Sequence, residues 1–84
     1  MNIEEEVKKL IENDINKLGI SLEKIEFVKE DGIYFLRIYI DKEPIININD
    51  CVNVTKLIDP ILDKNNLIDK SYILDVCSKK KEGK

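Results

Sequence analysis

Histidine, tryptophan and alanine do not occur in this 84-residue chain, and it has a single arginine, Arg37. Each gap closes off some chemistry. Without histidine the chain lacks the commonest general base and metal ligand. Its two cysteines, Cys51 and Cys77, cannot alone complete a four-ligand zinc site of the usual kinds, and they read as reduced thiols. The three glycines, Gly19, Gly32 and Gly83, are too scattered for a phosphate-cradling loop. For the same reason the Gly-x-x-Gly clamp of a KH-type RNA-binding domain is absent. Asp59, Asp63 and Asp69 lack the spacing of a calcium loop and read as a solvated helix end. No apolar run approaches the ~20 residues of a membrane span, and the acidic amino terminus does not read as a signal peptide. These absences predict a chain that is not an enzyme, with no catalytic or metal site and no membrane partner.

What is present is a soluble globular composition, 43% hydrophobic and 37% charged, with fifteen isoleucines. Isoleucine, asparagine and lysine have AT-rich codons, which points to an AT-rich bacterial genome and, with the missing leader, to the cytoplasm. Length allows one domain. Residues 1–78 hold 16 acidic and 10 basic side chains, whereas 79–84, KKKEGK, hold four lysines and one glutamate. The predicted body is therefore acidic and the last six residues a disordered basic tail. Nucleic-acid binding is driven largely by phosphate neutralisation, so the acidic body is a poor candidate for nonspecific nucleic-acid binding. It suits a basic protein partner.

The chain is organised around IEFVKEDGIYFLRIYID, Ile25–Asp41. Asp31-Gly32 is the pair typical of a two-residue hairpin turn. With those two as the turn, Glu30 faces Ile33, Lys29 faces Tyr34, Val28 faces Phe35, Phe27 faces Leu36, Glu26 faces Arg37 and Ile25 faces Ile38. Side-chain alternation then sorts one face as Ile25, Phe27, Leu36, Ile38 and Ile40. The other carries Glu26, Val28, Phe35, Arg37, Tyr39 and Asp41, with Glu26 and Arg37 as a cross-strand charge pair. A one-residue slip would put Glu26 and Arg37 among the aliphatics, so the register is specified.

Two helices flank the hairpin in sequence. The first is predicted from Ile3 to Leu18, capped by Asn2 with Glu5 in a capping-box position, and stopped by Gly19. Glu4–Lys8 and Glu5–Lys9 are candidate ion pairs, and Ile3, Val7, Leu10, Ile11, Ile15 and Leu18 form an apolar stripe. The second starts after Asn47, with Asp50 at N3 and a stripe of Ile48, Cys51, Val54, Leu57, Ile58, Ile61 and Leu62. Pro60 either kinks it or ends it near Asp59, and the apolar spacing that continues through Leu62 favours the kink. A polar loop with a Leu67-Ile68 plug leads to a last strand, Tyr72–Cys77. Its Leu74 and Val76 join the core face, and Ile73, Asp75 and Cys77 the other. The predicted fold is α+β, a two-layer helix-strand-strand-helix-strand sandwich with a three-stranded sheet and both helices on one face. No helix remains for the opposite face. Val28, Phe35, Arg37, Tyr39 and Ile73 on it form the candidate partner-binding surface, since arginine and aromatic side chains are typical interface anchors. A stand-alone module that self-associates as a homodimer through this face is the alternative.

The segments IEFVKEDG (Ile25–Gly32), FLRIYID (Phe35–Asp41), ININDCVNVTKLIDPILD (Ile46–Asp63) and YILDVCS (Tyr72–Ser78) occur in an order and spacing that resemble one family. It is the amino-terminal domain of the bacterial ribosome maturation factor RimP. The likeness runs from about Leu18 to Ser78 and is most specific at Leu36-Arg37-x-Tyr39-Ile40-Asp41 and at Asp50-Cys51. It implies a non-enzymatic role without cofactor in late assembly of the small ribosomal subunit, through small-subunit precursors and a basic ribosomal protein. It also implies a domain over 1–78 that the family follows with a small SH3-like barrel. Here Ser78 is followed by KKKEGK, so the barrel is expected to be absent, in a truncated product or a stand-alone paralogue.

Overall fold

The computed structural model describes residues 2–78, and the basic tail predicted for 79–84 lies outside them. Asn2 is extended and its side chain accepts the Glu4 amide at 2.9 Å, opening helix α1, Ile3–Lys17. The predicted capping box with Glu5 is not formed, since the cap engages N2 and not N3. Glu4, Glu5 and Glu6 favour the first turn through the helix dipole. The Glu4–Lys8 and Glu5–Lys9 pairs do not close among the described residues. Glu4 instead reaches across to accept the Phe27 amide at 2.9 Å, tying the helix to the sheet. Gly19, at φ +79°, ends the helix in the left-handed region that a side chain disfavours. Leu18 turns outward at that end and is exposed, contrary to its place in the predicted stripe.

Strands β1, Ser21–Glu30, and β2, Ile33–Asp41, are antiparallel in the predicted register from Ile25–Ile38 to Glu30–Ile33. Asp31 and Gly32 both take positive φ, as the two-residue turn requires. A bulge between Leu22 and Lys24, which periodicity does not reveal, shifts the start of β1. Helix α2, Ile48–Asn65, then crosses over and returns the chain as β3, Tyr72–Ser78, parallel to β2. The sheet order is β1-β2-β3, with β2 central.

Val7, Ile11 and Ile15 of α1, Val54, Ile58 and Leu62 of α2 and Leu36, Ile38 and Ile40 of β2 form the buried core, joined by Ile20 and Ile68. Ile25, Phe27, Leu74 and Val76 pack against it, so both helices lie on one face, giving the predicted α+β sandwich. The buried line of α2 is Asp50, Val54, Ile58 and Leu62, at steps of four. Ile48, two residues before Asp50, lies about half a turn away from it on the opposite side of the helix, and it is 77% exposed, not part of the core. Pro60 faces solvent and α2 continues through it, because the carbonyl it leaves unbonded can meet water. Of the predicted loop plug, Ile68 is buried and Leu67 is not.

Asp50 is the one charged side chain in the buried set. Its Oδ2 accepts the Asn47 amide at 3.0 Å while Asn47 Oδ1 accepts the Asp50 amide at 3.1 Å, and Lys42 Nζ lies 3.1 Å from Asp50 Oδ1. The reciprocal box fixes where α2 starts. Asn47→Ala is expected to cost about 1 kcal/mol, or roughly 4–8 °C in Tm for a domain of this size. Thermal denaturation followed by circular dichroism measures it, and an unchanged midpoint would mean the box contributes nothing.

Candidate partner-binding face

Alternation along β2 sends Ile33, Phe35, Arg37 and Tyr39 to the side away from the helices. The two neighbouring strands extend this into rows across the sheet. Val28, Phe35 and Ile73 make an apolar row; Glu26, Arg37 and Asp75 a charged one; Lys24, Tyr39 and Cys77 a mixed one. The five predicted site residues are thus brought together on one continuous surface. Ile73 is 48% exposed and Val28, Phe35, Arg37 and Tyr39 are half-buried. No helix or strand of the described residues covers this face.

Arg37 is held in one orientation. Its Nη1 and Nη2 donate to Glu30 Oε2 and Oε1 at 3.0 and 2.9 Å, a bidentate fork, and its Nε lies 3.5 Å from Asp75 Oδ2. The guanidinium passes over the Phe35 ring, 4.8 Å from its centre. This corrects the expected Glu26–Arg37 pair. The two face each other in the backbone register, but the planar fork finds its two-point match at Glu30. Glu26 instead meets Lys24 Nζ at 3.0 Å and accepts the Tyr39 hydroxyl at 3.2 Å.

The bond from Lys24, helped by Tyr39, holds the Glu26 carboxyl below its ordinary value, and the Arg37 fork does the same for Glu30. Glu30 in turn pushes the Arg37 guanidinium further up. At Asp50 the Asn47 amide, then Lys42, lowers the carboxyl below 3.8. All three carboxyls are depressed on folding, so each stabilises the fold above its unfolded-state value, and that stability is lost as pH falls through the folded-state values. The urea midpoint is expected to hold between pH 7 and about 5 and to fall from there toward pH 3, modestly because Glu26 and Glu30 are solvent-screened. A midpoint flat down to pH 3 would contradict this charge network.

Glu30, Asp75 and Lys24 belong to this surface although the sequence reading did not choose them as site residues. Strand parity could have added Glu30, which sits four residues beyond Glu26. The Arg37–Glu30 fork itself depends on side-chain direction and has no sequence signal. Four carboxylates, Glu26, Glu30, Asp41 and Asp75, and two cations leave the charged part of the face net acidic, and its only arginine is already engaged. It is therefore poorly suited to gripping phosphates and suited to apolar and basic contacts.

Among the described residues no group of histidine, cysteine and carboxylate side chains is placed to hold a metal ion, and no helix is long and apolar enough to cross a membrane. A family model for the RimP N-terminal domain matches residues 10–79, which takes in everything from the middle of α1 through β3.

Proposed function

Because the chain belongs to the RimP N-terminal domain family of ribosome maturation factors, we propose that it serves assembly of the small ribosomal subunit in the cytoplasm by binding alone, without catalysis. The binding surface is the open sheet face of Val28, Phe35, Arg37, Tyr39 and Ile73, and its partner a basic ribosomal protein on the small-subunit precursor. The observation that carries this reading is the pairing of exposed apolar area with a fixed arginine on a face that no described element covers. Large apolar patches on a small soluble domain mark interaction sites. The acidic surroundings favour a basic partner over rRNA, whose phosphates they repel.

Sedimentation of the purified chain with small-subunit precursors through a sucrose gradient tests this. The chain is expected in the precursor fractions, and to leave them when Phe35 is replaced by alanine. A chain that remains at the top of the gradient contradicts the reading. A chain that forms dimers by light scattering, dissociated by the same substitution, would point to self-association through this face instead.

A further inference from the structure

The two outer edges of the sheet are treated differently. β1 has the protections that edge strands commonly carry: Lys24 and Lys29, a bulge between Leu22 and Lys24, and the Glu4 carboxylate seated on the Phe27 amide. β3, Tyr72–Ser78, has none of these. It contains no lysine, proline or glycine, it pairs with β2 without a break, and no strand of the described residues lies on its other side. Every second residue of such a strand directs its amide and carbonyl outward, a template for one more strand.

Beside this edge runs an open groove of about 570 Å³, bordered by Thr55, Asp59 and Asp63 of α2 and by Tyr72 and Leu74 of β3. Asp59 and Asp63 are exposed, one turn apart, with no cation at ion-pair distance among the described residues. Their charge reaches Tyr72, whose hydroxyl is pushed up by burial and then by Asp63 and Asp59. The one lysine bordering the groove, Lys70, is turned to Asp69 and to the Tyr34 ring.

We infer that the outer edge of β3 accepts an extended basic segment as a fourth strand, with its lysines or arginines lying over the groove toward Asp59 and Asp63. A second copy of the chain is the poorer occupant. Two β3 strands paired antiparallel about their midpoint would set Asp75 against Asp75, and like charges directly opposite are destabilising. The same two-fold arrangement would bring the Asp59 and Asp63 of both copies toward the shared edge. The inference is separate from the reading of the open face, since it uses backbone and the α2 side of the sheet.

Titration of the isotope-labelled chain with a capped octapeptide of alternating lysine and valine, against its glutamate–valine counterpart, tests it by NMR. The basic peptide is expected to bind and to slow amide exchange within Tyr72–Ser78, and the acidic one to do neither. Replacing both Asp59 and Asp63 by asparagine is expected to weaken binding about five- to tenfold, as two partly exposed charge pairs would. Phe35→Ala is expected to leave it unchanged, which separates this site from the open face. The inference is overturned if the basic peptide does not bind, binds without protecting β3, or binds equally well to the asparagine variant. Protection of β3 that rises with protein concentration alone would assign the edge to a second copy.

Discussion

Ile38→Ala is expected to destabilise the fold by about 3–4 kcal/mol, within the range for emptying a buried isoleucine site. Ile38 is fully buried at the centre of β2, between Ile25 and Val76 in the sheet. Its side chain is directed at the layer of α1 and α2, and the rigid strands on either side cannot close in on the space it leaves. A chain of 84 residues has roughly 4–12 kcal/mol of total stability. One substitution therefore removes a third of it or most of it. Urea denaturation measures the loss, and a cost below about 1 kcal/mol would mean that the helices do not pack on this face.

Three residues back along the same strand the expected result inverts. Phe35→Ala is expected to leave the chain folded, with a loss of no more than about 1.5 kcal/mol, because no layer lies above the ring and its removal leaves no sealed cavity. Binding to the small-subunit precursor is expected to fall about 30-fold or more, the loss of an interface anchor worth about 2 kcal/mol. Part of that loss comes through Arg37, whose guanidinium rests on the Phe35 ring on its way to Glu30. Arg37→Lys is the informative companion, since it keeps the charge and loses the fork. Titration of labelled precursor with each variant, beside its urea midpoint, separates the two effects. A Phe35→Ala chain that binds like the parent would remove the open face from consideration.

The hairpin shows why so much of the fold was legible in the sequence. A strict period of two from Ile25 to Asp41 and an Asp-Gly turn leave one register that keeps Glu26 and Arg37 out of the core, and that register is the one formed. Helix α2 was readable for a similar reason, as Asn47 and Asp50 mark its start. Less legible were features decided by partners distant in sequence. Glu4 looked like half of an ion pair within its helix, but the unpaired Phe27 amide on the sheet edge offered it a better bond. Ile48 carried the right residue type for the core and sits on the wrong side of α2, while Asp50 occupies the buried line at the first turn. The parallel placement of β3 beside β2 follows from how α2 crosses over, and no local pattern in Tyr72–Ser78 announces it. The five proposed face residues were readable because parity alone groups them; which carboxylate holds Arg37 was not.

Hydroxyl-radical footprinting of the chain, free and bound to small-subunit precursors, addresses the proposed surface most directly. The exposed apolar side chains Ile45, just before α2, and Ile48 and Val52 in its first turns provide the internal comparison. Oxidation of Phe35, Tyr39 and Ile73 is expected to drop on binding while that of Ile45, Ile48 and Val52 persists. Protection of those three with Phe35 and Tyr39 still fully reactive would contradict the account.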